Sequence, residues 1–159
     1  MIRFDAGNQR FNYRIVGVAV HNGAVLLHRT AEETFWTVPG GRAEMGETAE
    51  ATLKREMREE LGVDVEIVRL LWFSENFFTY DARRYHEIAL YFLMELPANS
   101  PYLNQPGPFS GVEETPKLIF QWFPCQAEVL AALPVQPSFL QTALLSLPET
   151  VTHVIQHDV

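Results

Sequence analysis

Cysteine is almost absent, with Cys125 standing alone in 159 residues. That excludes an internal disulfide and a cysteine-based zinc site, and it fits a reducing compartment. No apolar run is long enough to cross a bilayer, and the N-terminal stretch MIRFDAGNQRF has no apolar signal core. The expected location is therefore the cytoplasm, with no membrane partner. Basic residues are scarce, 12 Lys and Arg against 20 Asp and Glu, for a net charge of −8. A general nucleic-acid binder needs the opposite balance, so none is expected. An anionic substrate would need a metal ion to approach. No internal repeat, low-complexity tract or linker breaks the chain, so residues 1–159 read as a single domain. An apolar content of 47% and a charged content of 20% suit a globular protein with a real core.

What is abundant is glutamate, concentrated in Gly41 to Val63, GRAEMGETAEATLKREMREELGV. Alanines, Leu53, Met57 and Leu61 favour a helix, Thr48 suits its N-cap, and Gly62 ends it. Glu56, Glu59 and Glu60 are spaced i, i+3, i+4 and share one stripe. Ala49, Leu53, Met57 and Leu61 form a second, apolar stripe beside it. The helix thus buries one stripe and holds three carboxylates at its rim. Such crowding repels, and Arg55 and Arg58 offset only part of it. A hard divalent cation would offset the rest, because Mg²⁺ takes oxygen ligands. On charge alone a solvated acidic face fits as well.

The spacing adds more. Gly41 is followed after five residues by Glu47, and after seven more by Arg55-Glu56. Then come an apolar residue, any residue, Glu59-Glu60, any residue, Gly62 and aliphatic Val63. This resembles the signature of the Nudix hydrolases at every specified position. Met57 is a soft departure, since the family prefers Ile, Leu or Val there. The preceding Trp36-Thr37-Val38-Pro39-Gly40 also resembles the family's lead-in.

The resemblance implies a fold, a reaction and a set of roles. The fold is α/β: an α/β/α sandwich with a mixed β-sheet, its box forming a loop-helix-loop beside the sheet. The reaction is metal-dependent hydrolysis of a diphosphate bond in a nucleoside diphosphate linked to X. Candidate substrates are a nucleoside triphosphate, a dinucleoside polyphosphate or a nucleotide sugar. The cofactor is Mg²⁺ or Mn²⁺. Glu56 and Glu60 are implied metal ligands, and Glu59 is either a third or holds a metal-bound water. The backbone carbonyl of Gly40 would join them. Arg55 would orient the glutamates with Glu47 as partner. A further carboxylate often comes from a later loop; Glu113 and Glu114 both qualify, and Glu114 is preferred here. The alternative class is a catalytically silent Nudix-like nucleotide sensor or interaction module, against which stands the retention of every box carboxylate.

The rest of the chain supplies context. Phe11 to Val20 and Ala24 to His28 read as strands joined by an Asn22-Gly23 hairpin. Arg29, at the strand end, is a candidate phosphate contact or a plain surface arginine. Val63 to Phe73 and Arg84 to Leu96 read as strands, the second central in its sheet. Ser74 to Ala82 reads as a turn or loop, and Pro97 to Pro116 as too proline-rich for a helix or strand. Lys117 to Phe123 is a strand. Helices follow at Gln126 to Leu133 and Ser138 to Leu147, and Val151 to Ile155 is a final strand or docked tail. Phe77, Phe78, Tyr80 and Tyr102 are candidates to stack on a base, at roughly 1–3 kcal/mol each. Tyr80, 17 positions beyond Val63, resembles a mark of dinucleoside polyphosphate hydrolases, whereas core packing is its other role. Members of the resembled family are often dimers, which makes the aromatic and proline-rich stretches a candidate homodimer interface.

Overall fold

A computed structural model describes residues 1–158. Nine strands and three α-helices alternate along the chain. The strands are β1 (Arg3–Ala6), β2 (Gln9–His21), β3 (Ala24–Thr30), β4 (Gly40–Arg42), β5 (Glu66–Tyr80), β6 (Arg83–Glu95), β7 (Phe109–Ser110), β8 (Leu118–Pro124) and β9 (Thr152–Asp158). The helices are α1 (Ala49–Leu61), α2 (Ala127–Ala132) and α3 (Leu140–Ala143). The strand order is β7-β8-β3-β2-β6-β5-β9, with β1 and β4 also paired to β2. Pairing is mixed: β2 runs parallel to β6 and β5 parallel to β9, and the other pairs are antiparallel. As the sequence implies, this is an α/β sheet with helices on both faces. Ile15 and Ala19 pack with Leu53, Met57 and Leu61 of α1, whereas Val16 and Val18 pack with Leu130 of α2, Leu140 of α3 and Leu144 at the end of α3. Strand alternation puts odd and even residues of β2 on these opposite sides. Among the described residues no helix is long and apolar enough to cross a membrane.

The feature that makes the site is a splay between β2 and β3. They pair only at Val20↔Val25 and His21↔Ala24, next to an Asn22-Gly23 turn in which both residues take positive φ. Such a turn matches the twist of the two strands it joins. Beyond it the strands part. β2 then pairs with β4 through Arg14 to Val16, and His28 of β3 bridges Thr37. A cleft of about 910 Å³ lies over this fork.

Four stretches depart from the sequence reading. Ser74 to Tyr80 is not loop; β5 runs through Tyr80 and turns at Asp81-Ala82. Asn76 is polar and lines the cleft, and with Ser74 two positions before it the pair imitates a turn signal. Residues before Phe11, where the sequence reading starts the first strand, contain β1, folded back on β2 around Gly7. The proline-rich segment holds a 3₁₀ turn at Pro101–Asn104 and the short β7. The last helix shrinks to Leu140–Ala143, because i→i+3 hydrogen bonds tighten both of its ends: Leu140 to Pro137 before it, Leu145 to Thr142 after.

Candidate active site

Helix α1 forms as its sequence requires. The Thr48 side chain accepts a hydrogen bond from the Ala51 amide at 3.1 Å. At the far end Gly62 takes φ +67° and returns its N–H to the Arg58 carbonyl at 2.9 Å. Leu53, Met57 and Leu61 are buried, so Met57 fills the place of the aliphatic residue the family prefers. This seats the neighbouring stripe at the cleft.

Arg55 ties the acids together. Its guanidinium donates to Glu47 at 2.7 and 3.0 Å, to Glu56 at 2.9 Å, to Glu59 at 3.3 Å and to the Arg42 carbonyl at 3.2 Å. Glu47 also accepts from the Thr52 hydroxyl at 2.7 Å and the Glu44 amide at 3.0 Å. Its carboxyl is held down to about 2, first by Arg55 and then by Thr52. Glu47 and Arg55 are thus fully employed in positioning.

Glu56 and Glu60 are under different conditions. Glu56 packs so closely on Gly41 that a Cβ there would overlap its carboxylate. Burial raises its pKa, partly countered by Arg55. Glu60 is 5% exposed, and its pKa is raised well above normal by burial and then by the Glu56 charge. Its Oε2 has no hydrogen-bond partner. His28 Nδ1, also unpartnered, lies 3.8 Å from it. Burial holds His28 down to about 3, so the imidazole is neutral and the contact is not an ion pair. A buried carboxylate with an unused oxygen, next to a second carboxylate, is a place for a cation. All its donors are hard oxygens, which suits Mg²⁺ or Mn²⁺. Among the described residues no three acidic, His or Cys side chains converge into a complete cage. Mg²⁺ does not require one, since it keeps waters and takes substrate phosphate.

The other expected residues divide. Glu59 lies on the open side of α1 with its side chain 47% exposed. Gly40 lines the cleft at φ +155°, where a Cβ would collide with the Ile15 carbonyl. Glu113 lines the cleft, whereas Glu114 is exposed and outside it. The Val112 amide donates to the Glu60 carbonyl at 2.8 Å, which pins the loop to α1 and sets Glu113 at the cleft. Phe78 and Tyr80 line the cleft. Phe77 lies on the opposite face, stacked on His157, and Tyr102 stacks on Phe109 beside the α1 core. Arg29 is also elsewhere: it donates to the Glu33 carbonyl at 3.0 Å and lies 5.1 Å over Trp36. Alternation explains this, because His28 and Thr30 take the cleft side of β3.

Sequence reasoning missed Arg14, His28, Asn12, Asn76 and Glu87, which all line the cleft. The signal was present: a charged or amide residue at even spacing within otherwise apolar strands. Arg14 is the cation whose charge reaches Glu56, Glu60 and Glu87 alike.

A family model described as NUDIX domain matches residues 12–142. The chain belongs to the Nudix family. The Nudix relatives are partial matches. One is an RNA pyrophosphohydrolase from Pseudoalteromonas atlantica, 37% identical over 78 residues, which are 48% of this chain and 43% of that protein. Another is an 8-oxo-dGTP diphosphatase from Proteus vulgaris, 41% identical over 54 residues, 32% of this chain and 48% of that one. The chain spans less than half the length of these curated relatives. A solved MutT NUDIX hydrolase from Burkholderia pseudomallei has the same fold, with a TM-score of 0.61 at 23% identity, covering 86% of this chain and 98% of that one.

Proposed function

We propose that this Nudix chain is a hydrolase that cleaves a diphosphate bond in a nucleoside diphosphate linked to X, using Mg²⁺ or Mn²⁺. The observation that carries it is the Glu56–Glu60 pair: one carboxylate seated on Gly41, the other buried with an unused oxygen. Glu56 and Glu60 would hold the cation, with Glu59 and the Gly40 carbonyl as the remaining candidates. When bound, the cation would neutralise phosphate charge and polarise the phosphoryl oxygens. The chain's own residues do the rest. Arg55, anchored by Glu47, fixes the carboxylates. Arg14 supplies positive charge midway along the cleft. Water attacks one phosphorus, the bridging P–O bond breaks, and a phosphate-bearing group leaves with the bond electrons. A carboxylate at this end takes the water's proton. Glu113, which lines the cleft, is the candidate loop acid in preference to Glu114. Phe78 and Tyr80 offer aromatic surface to a base. The partner is a small nucleotide.

The test is a phosphate-release screen with Mg²⁺ or Mn²⁺ across nucleoside triphosphates (8-oxo-dGTP among them), nucleotide sugars, ADP-ribose and dinucleoside polyphosphates. Turnover of one class should fall by roughly 10²–10³-fold in Glu60→Gln with the fold intact. Unchanged turnover in that folded variant rejects the assignment. Silence across the whole panel, with nucleotide still bound, moves the chain to the sensor class.

A further inference from the structure

The cleft has a second polar centre, away from the carboxylates, that the proposed hydrolysis does not use. Asn12 of β2, Glu87 of β6 and Asn76 of β5 are register partners across three adjacent strands, Asn12↔Glu87 and Glu87↔Asn76. Period-two alternation puts all three on one face, where they form a single row on the cleft floor. They are 3%, 7% and 4% exposed. Asn12 Nδ2 donates to Glu87 Oε2 at 3.4 Å, and Asn76 is the register neighbour of Glu87 on its other side. A carboxylate only accepts, so Asn12 turns its NH₂ toward Glu87. The Oδ1 atoms of Asn12 and Asn76 are left without partners. Buried amide oxygens without donors are costly, and two of them flanking a carboxylate in one row on a cavity floor call for a ligand. One row further along, Phe78 and Tyr85 stack at 4.8 Å and line the same cleft.

We infer that the Asn12–Glu87–Asn76 row determines base specificity by accepting hydrogen bonds from adjacent N–H donors of a guanine-type nucleobase. The aromatic pair beside the row supplies the apolar surface a base needs. The acceptors choose among bases. Guanine presents a ring N–H next to an exocyclic amino group. Adenine and cytosine present an amino group next to a ring acceptor, which would face the carboxylate and repel it. Uracil presents one N–H between two carbonyls. Hypoxanthine keeps the ring N–H of guanine and lacks the amino group. A site built to pair with donors rejects an analogue without them, because its own buried groups are then left unpaired.

This inference rests on the cleft being a nucleotide site, and its test does not depend on turnover. Binding of GMP, IMP, AMP and CMP to the full chain is measured by calorimetry with chelator present. GMP should bind at least about tenfold tighter than IMP or AMP. Asn76→Ala and Glu87→Gln should each bring the GMP-to-IMP ratio within about threefold, whereas a purely structural role would leave the ratio alone. GMP and IMP binding alike in the unaltered chain, or no monophosphate binding at all, overturns the inference without any variant having to fold. An unchanged ratio in folded variants overturns it too. Magnesium-dependent turnover without base preference would sink the row while sparing the hydrolase. Selective GMP binding in a chain that turns over no nucleotide would sink the hydrolase and support the row.

Discussion

Arg55 is one side chain making six hydrogen bonds to three carboxylates and a carbonyl. Lysine has no planar fork and cannot replace that geometry. Arg55→Lys should therefore lower turnover by about tenfold and Arg55→Ala by about a hundredfold, read as kcat/KM. Because the side chain is part-exposed, the stability loss in Arg55→Ala should be only about 1–2 kcal/mol after solvent screening, read by urea melts. Glu60 makes a pH prediction with a definite sign. Its folded pKa lies above its unfolded value near 4.5, so between the two the folded state keeps a proton that the unfolded chain has lost. Metal-free stability should then fall as pH rises through that window, starting from the unfolded value. A bound cation offsets the charge, so the gain in Tm on adding Mg²⁺ should be larger at pH 8 than at pH 5. An equal gain at both would mean Glu60 is not at the cation. Glu47 runs the other way: its contribution is present above pH 4.5 and is lost as pH falls toward about 2.

At the scale of elements, α1 was legible in full, because propensity, caps and apolar stripe agree. So was the β2–β3 hairpin, where Asn-Gly leaves little choice of turn. β5 was not. Asn76 lines the cleft and buried Ser74 lies two positions before it, and polar residues in a strand read as its end. The same alternation that hid β5 decides the aromatics: Phe78 lies in the cleft and Phe77 on the far face, a difference that needs the register. Arg29 and Glu114 each missed the cleft by one position, next to His28 and Glu113. Contact between the Gly41 backbone and α1 gives a prediction at this scale. In Gly41→Ala a Cβ would meet the movable end of Glu56 and not backbone. The fold should survive, with metal affinity weakened by about tenfold or more in titrations. Gly40→Ala, by contrast, meets the Ile15 carbonyl at a φ only glycine favours, and should lower Tm sharply.

For the whole molecule, class and architecture followed from the family resemblance of the Gly41–Val63 stretch, but the cleft could not. It exists because two strands that start as a hairpin part company, and because residues distant in sequence share one face of the sheet. Glu87 looks like an accident in an apolar run until Asn12 and Asn76 are seen on either side of it. The C-terminal strand belongs to the same assembly. Asp158 accepts from the Ser138 amide at 3.0 Å and hydroxyl at 2.6 Å, which fastens the Gln136–Pro137 wall of the cleft to β9. Deleting residues 151–159 should bare the edge of β5, loosen that wall and promote aggregation, as read by light scattering.

β2 also works as a ruler. Val16 sits opposite Gly40 at the carboxylate end, and Asn12 stands in the polar row. The gap between them is four residues of one extended strand, roughly 13 Å. No loop or hinge intervenes, so that length is fixed by covalent geometry. A ligand that reaches both ends is gauged against the backbone itself. Altering the gauge would take an insertion in β2, and a single added residue would turn every later side chain to the wrong face.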